Sequence, residues 1–453
     1  MRNVKIGSFV VLFLFIAFTR LLTYGLDRSQ TLPLLICYAV LFGLYIWIYK
    51  KETNVSFWLM SAIVIRGSLL LTFPNLSDDF YRFIWDGRLW AAGQHPFAAL
   101  PGEFLSQNIS GVTEALFEKL NSKEHFTIYP PLAQFVFWLS VKIFPDSIQG
   151  SVVVMRILVL LVEIGSILMI IRLLDRSHQP KKNVLLYALN PLIILELTGN
   201  LHFEAFVIFF LLLSIWLLTS DKVIPAAISF ALAVSAKLIP LIFLPVMLAV
   251  LGWRKALVFY TVTGLGILIL FIPMYDEQVL SGFFQSVNLY FQKFEFNAFL
   301  YYLVREYGFW KVGYNTIQAT GWKLGVVSGI LILAYSLFWG IRKGKDQSSE
   351  STSKALPYQI DRGLFNAFII ILTIYLVLST TVHPWYITPL IAFSAITRFR
   401  FIMFWSGLIF LTYAGYSHDG YSENLWITTL EYVAVISYLG VEFLWKGRDA
   451  LTS

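Results

Sequence analysis

Charge is what this sequence has least of. Asp, Glu, Lys and Arg together make up 13% of its 453 residues, and a water-soluble chain of this length needs far more to coat its surface. Cysteine is almost missing too: Cys37 stands alone inside an apolar run, which excludes an intramolecular disulfide and a thiolate metal cluster. No glycine-rich phosphate-binding fingerprint occurs, so no nucleotide-binding fold is indicated. The alternating segments of a membrane barrel are absent. No internal repeat stands out, which weakens an inverted-repeat transporter reading.

What is present is apolar. Hydrophobic residues make up 58% of the chain and the mean hydropathy is +0.71. They fall in repeated runs of roughly 17–22 residues, long enough to cross about 30 Å of hydrocarbon. Backbone groups in lipid must be satisfied within the chain, so these runs are expected to be helices. The expectation is an all-α polytopic membrane protein, one integral-membrane domain over residues 1–453, with about 14 (12–14) crossings. Met1-Arg-Asn-Val-Lys5 and the run behind it read as an uncleaved first helix, because Thr19-Arg-Leu-Leu-Thr-Tyr24 is too bulky for a signal cleavage site.

Basic residues set the orientation. Lys50-Lys51 separates the second and third runs and reads as cytoplasmic, so Asp78-Asp79, after the third run, emerges outside. Tyr129–Phe144 is short for a crossing and contains Lys142. Laid along the membrane face, it leaves Arg172, Arg176, Lys181 and Lys182 inside. Residues 77–150 then form a large external loop, with amphipathic helices near Tyr81–Ala92 and Thr113–Asn121. Residues 274–321 form a second external region, and 342–362 a flexible cytoplasmic loop. The net charge of +7 reflects basic cytoplasmic loops rather than nucleic-acid binding.

An acidic pair at the mouth of a membrane helix is a functional-site hypothesis by default. In a helix, Asp78, Arg82 and Asp86 recur at i, i+4 and i+8 and share one face, with Arg82 between two carboxylates. One carboxylate can act as a base while the other is held by Arg82 or by a divalent metal. The plainer alternative is that Ser77 or Asp78 caps the helix. Lys237, between two apolar runs, reads as a phosphate ligand or as a snorkelling surface lysine. His202 and Glu204 share a short external turn. His383-Pro-Trp-Tyr386 places an imidazole and two aromatics at a helix end. Arg66, Arg156, Glu163 and Glu196 fall within crossings and are expected to face the bundle interior. The default for Arg156 and Glu163, at i, i+7, is a structural pair.

Three blocks carry a resemblance: Asp78-Asp-Phe-Tyr-Arg-Phe-Ile-Trp-Asp-Gly-Arg88, Ala92-Gly-Gln-His-Pro-Phe97 and Tyr129-Pro-Pro-Leu-Ala-Gln134. With Gly199-Asn-Leu-His-Phe-Glu204, Ala236-Lys-Leu-Ile-Pro-Leu241 and His383-Pro-Trp-Tyr386, they resemble the GT-C class of integral-membrane glycosyltransferases. The nearest likeness is to bacterial polyprenol-phosphomannose-dependent mannosyltransferases. The acidic motif often follows the first helix in that class; here it follows the third.

The resemblance implies a GT-C-type helix bundle with external juxtamembrane helices. It implies an inverting hexosyl transfer, of mannose, from a polyprenyl-phosphate donor to a lipid-linked or surface glycan. Asp78 or Asp79 supplies the general base. Arg82, Asp86, Arg88, Tyr129, His202, Glu204, Lys237, His383 and Tyr386 are the substrate-binding candidates. No organic cofactor is implied, and the pair serves either base chemistry or a divalent cation. The setting is a bacterial inner or plasma membrane, with the site on the extracytoplasmic face. A flippase of lipid-linked sugars and a polysaccharide polymerase or ligase are the rival readings.

Overall fold

The computed structural model describes residues 5–52, 54–274, 282, 294–349, 362–418 and 420–446. Helix dominates throughout, as apolar runs that must satisfy their own backbone require. Among the described residues the only sheet is a two-residue ladder pairing Tyr416–Ser417 with Gly420–Tyr421.

The first three apolar runs form α1 (Ile6–Arg20), α2 (Thr31–Lys51) and α3 (Val55–Gly67); Asn54 caps α3 through the Phe57 amide. Residues 77–150 supply α4 (Asp79–Ala91) and α5 (Pro131–Ile143). Then come α6 (Ile148–Arg176), α7 (Glu204–Leu218), α8 (Val223–Ala236) and α9 (Leu244–Phe271). The chain continues through α10 (Leu300–Val312), α11 (Ile317–Ser349), α12 (Arg362–Leu378), α13 (Thr388–Ser394), α14 (Phe401–Leu408) and α15 (Leu425–Lys446).

Six of the described helices are long and apolar enough to cross a membrane, or seven when the bent pair around residue 200 counts as one span. The other apolar runs expected to cross fold as shorter or broken helices, among them Val55–Gly67, Val223–Ala236 and Gly363–Leu378. The run from Val184 to Thr198 contains two short helical turns and a π-helical stretch, Ile194–Gly199. It meets α7 at a bend of 111°. The two runs on either side of Gly252 join into α9, interrupted where Gly252 adopts φ 68°. The Tyr386 run is split between a 3-10 turn and the seven residues of α13.

The α4–α5 pair sits beneath the site. Helix α5 has 13 residues, about 20 Å at the helical rise and short of a bilayer's hydrocarbon thickness. It packs against α4 at Gly87, where an added Cβ would lie 2.5 Å from the Phe137 carbonyl oxygen. The Thr113–Asn121 helix shrinks to one turn, Glu114–Phe117. Helix α11 runs on to Ser349, into the segment expected to be a loop; residues 350–361 lie outside the described residues, as does most of 275–293, within the stretch expected to form a second external region.

The buried charges hold the helices in register. Arg66 reaches Glu163 Oε1 with Nε and Nη2, each at 3.1 Å, and both side chains are fully buried. Glu163 is therefore paired across helices, and the expected Arg156–Glu163 pair does not form. Arg156 instead donates to the carbonyls of Thr198 and Gly199 at 2.9 Å, and to those of Leu70 and Thr72. Its guanidinium thus satisfies backbone groups freed where the chain breaks near residues 70 and 199.

Candidate active site

Those two breaks place the acidic pair. Beyond α3 the chain loses helical order, and Asn75 Nδ2 donates to the carbonyls of Leu22 (2.8 Å) and Leu26 (2.6 Å). The loop before Asp78 is thereby tied to the end of the first helix, which brings Arg28 beside Asp78. Arg28 Nη2 and Asp78 Oδ2 form an ion pair, with side chains 31% and 34% exposed. Asp78 stands at the N-cap of α4, yet its side chain makes no cap hydrogen bond. Ser77 Oγ accepts from the Asp79 amide at 3.3 Å. The capping alternative therefore falls to Ser77, and the Asp78 carboxylate is left for the cavity.

Asp79 is held by other partners. Asn121 Nδ2 donates to Oδ1 at 2.7 Å and the Tyr129 hydroxyl to Oδ2 at 3.3 Å. His202 Nδ1 lies 4.0 Å from Oδ2. On its other side, His202 Nε2 is 3.4 Å from Glu196 Oε2. Glu196 is fully buried and accepts from Tyr413 (2.7 Å) and Asn200 (3.1 Å). His202 reaches this position because the 111° bend turns the chain there. The neighbouring Leu201 takes φ 65°, a conformation costly for a residue with a branched side chain.

The pair opens onto a cavity of about 370 Å³, lined among others by Arg28, Asp78, Asp79, Lys237, His383 and Trp385. Lys237 follows the last residue of α8 in extended conformation. Its ammonium pairs with the buried Glu204 carboxylate and lies 5.5 Å from the centre of the Tyr386 ring. His383 stacks on Trp385 with centroids 4.4 Å apart, and its Nδ1 is buried without a hydrogen-bond partner among the described residues. Burial pushes the His383 imidazole down to about 3, and His202 and Lys237 push the same way against Asp79. At neutral pH His383 is an uncharged hydrogen-bonding group.

The substrate-binding candidates therefore separate. Tyr129, Lys237, His383 and Tyr386 gather at the cavity with Asp78 and Asp79. His202 and Glu204 stand just behind its wall, each buried against a lining residue. Arg82 touches the cavity, but it is bound to Asp86 at 2.8 Å and to the carbonyls of Ser122 and His125. The face shared by Asp78, Arg82 and Asp86 thus closes on one carboxylate only. Asp86 is fully buried, accepting from Thr127 (2.5 Å) and Gln134 (2.9 Å) as well. Arg88 turns away to the carbonyls of Gly111 and Pro145.

Arg28, Asn121, Tyr416 and Tyr421 also line the cavity. None carries a signal in the sequence, since each arrives by tertiary docking. As for a divalent cation, the two aspartates are directed to different protein partners. Among the described residues no three His, Cys, Asp or Glu side chains group to hold a metal.

The fold and the site define an all-α multi-pass membrane protein whose bundle opens a cavity lined by carboxylates, cations and aromatics. Comparison with known families makes it a glycosyltransferase: the family model described as alpha-(1->6)-mannopyranosyltransferase, N-terminal domain, matches residues 23–253. The chain belongs to that family, MptA_B. The match covers Arg28, the acidic pair, His202 and Lys237, while His383, Trp385 and Tyr416 lie beyond it. No curated protein and no solved structure matches the chain.

Proposed function

We propose that the protein transfers a mannosyl residue from a polyprenyl-phosphate carrier to a hydroxyl of a lipid-linked or surface glycan, with inversion. The reaction takes place on the extracytoplasmic face of a bacterial plasma membrane. The observation that carries this reading is the Asp78 carboxylate, turned from its own helix toward the cavity.

A lipid phosphate-sugar keeps its head at the interface and its tail in lipid, so the site must lie at one end of the bundle. The acceptor oxygen attacks the anomeric carbon, and the carbon–oxygen bond to the phosphate breaks. The bonding pair leaves with the polyprenyl phosphate, and the acceptor proton passes to Asp78. The anomeric carbon passes through oxocarbenium character, by analogy with glycoside hydrolysis. Asp79, fixed by Asn121 and Tyr129, orients the acceptor. Lys237 faces the phosphate, and neutral His383 with Tyr386 lines the sugar pocket. An α product from an inverting step requires a β-linked sugar phosphate.

The test is transfer of labelled mannose from a synthetic polyprenyl-phosphate donor in membranes carrying Asp78→Asn, Asp79→Asn or both. Loss of a general base typically costs about 10²–10⁴ in rate, and that loss is expected for Asp78→Asn. Full transfer by a correctly inserted double variant would sink the proposal.

A further inference from the structure

Among the described residues, three Lys or Arg side chains line the cavity, and each is paired with a carboxylate: Arg28 with Asp78, Arg82 with Asp86 and Lys237 with Glu204. They are not equally free to leave. Arg82 and Asp86 are 4% and 0% exposed, and each makes further hydrogen bonds, Arg82 to the Ser122 carbonyl and Asp86 from Thr127. Lys237 is 16% exposed, against a Glu204 at 2%. Separating either pair strands a charge in a dry place, which is strongly unfavourable. The Arg28–Asp78 pair is about one-third exposed on both sides, so solvent screens it and exchange costs little. The Arg28 guanidinium also rests 5.0 Å from the centre of the Tyr416 ring. That contact does not depend on Asp78, so it can hold Arg28 at the cavity while the acid partner changes.

We infer that Arg28 is an exchangeable latch: in the empty site it occupies Asp78, and an incoming lipid monophosphate takes the guanidinium and releases the Asp78 carboxylate. A guanidinium binds phosphate with paired N–H donors, which a single carboxylate contact does not match. Donor arrival then frees the base, so the carboxylate is unmasked only when the sugar is in place. Lys237 can assist from its place over Tyr386 without leaving Glu204, since an ammonium has three donors. The inference rests on the proposed lipid-phosphate donor, and its test separates the latch from the assignment of Asp78 as base.

The probe is a short-chain polyprenyl monophosphate without sugar, titrated calorimetrically into the detergent-solubilised full chain. The matching polyprenol is the control. If Asp78 competes with phosphate for Arg28, Asp78→Asn binds the probe about two- to fivefold tighter than the natural protein, the range expected for an exposed ion pair. Arg28→Gln binds about tenfold weaker or worse, with Arg28→Lys between. The double variant binds like Arg28→Gln, because the gain from removing Asp78 exists only through Arg28. Unchanged or weaker binding by Asp78→Asn overturns the latch, as does equal affinity for the polyprenol. If the natural protein does not bind the probe, both the latch and the donor reading fall. If Asp78→Asn tightens binding yet still transfers mannose, the latch stands and the base assignment falls. Should Arg28→Gln fail to fold, Asp78→Asn and Arg28→Lys carry the test.

Discussion

The Trp385 indole lies flat on the His202 imidazole, with ring centroids 3.6 Å apart and planes 17° from parallel. The ring it holds has one nitrogen facing Asp79 and the other facing Glu196. Trp385 therefore joins the C-terminal half of the chain to the acidic pair of the N-terminal half. Aromatic stacking contributes about 0.5–1.5 kcal/mol beyond burial. Trp385→Leu is expected to lower kcat/KM by roughly twofold to tenfold, while Trp385→Phe keeps most of it. Steady-state transfer kinetics check this. Equal losses in both variants would mean that indole bulk, not stacking, matters.

Asp86 belongs to the same sequence block as Asp78 and Asp79, yet its partners give it a folding role. Removing its charge leaves the buried Arg82 guanidinium uncompensated, at a cost of about 3–5 kcal/mol. Asp86→Asn is expected to lower the melting temperature markedly. The donor KM of the surviving folded fraction should stay near its natural value. A raised KM at unchanged stability would return Asp86 to the substrate.

That contrast marks what could be read in the chain. Long apolar runs and the Lys50-Lys51 punctuation make α1, α2, α6 and α15 legible, because lipid leaves the backbone few alternatives. The positions of the breaks near residues 199 and 252 are legible too, as the ends of apolar runs; that the first is a 111° bend held inside the bundle is not, since it depends on groups far away in sequence. Arg156, for one, takes the carbonyls that the break near 199 frees. The same applies inside the site. Asp78, Lys237 and His383 stand out as polar groups beside apolar runs. The spacing rule for Asp78, Arg82 and Asp86 found a real helix face, and Arg82 does pair at i, i+4. It could not show that Asp78 pairs outside that face, with Arg28. Arg28 comes from 50 residues upstream, through the Asn75 tether that no local pattern encodes.

Gly87 offers a separate test of the α4–α5 contact. A methyl group there meets the Phe137 backbone oxygen at 2.5 Å, and backbone cannot step aside as a side-chain tip can. Overpacking of this kind costs about 1–3 kcal/mol. Gly87→Ala should push α5 away from α4, shifting Thr127 and Gln134 relative to Asp86. Lower thermal stability with reduced transfer is expected. A variant as stable and active as the natural protein would mean that the two helices tolerate a wider separation.

His383 ties the site to pH. Burial drives its imidazole down to about 3, from an ordinary value of about 6.5. The unfolded chain therefore takes up a proton before the folded chain does as pH falls. Stability from the neutral ring is whole above about pH 6.5 and erodes as pH drops toward 3, by about 1.4 kcal/mol per unit. His383→Gln removes this linkage while keeping a polar side chain. Melting temperatures of both proteins, measured in detergent at pH 7 and pH 5, should show a smaller acid-induced drop for the variant, by the equivalent of about 2 kcal/mol. Because the folded group is uncharged over this range, its direct contribution to donor binding should be flat from pH 5 to 8. A donor KM that rose as His383 lost a proton near pH 6.5, and that became flat in His383→Gln, would instead mark it as a cationic phosphate ligand and contradict the burial argument.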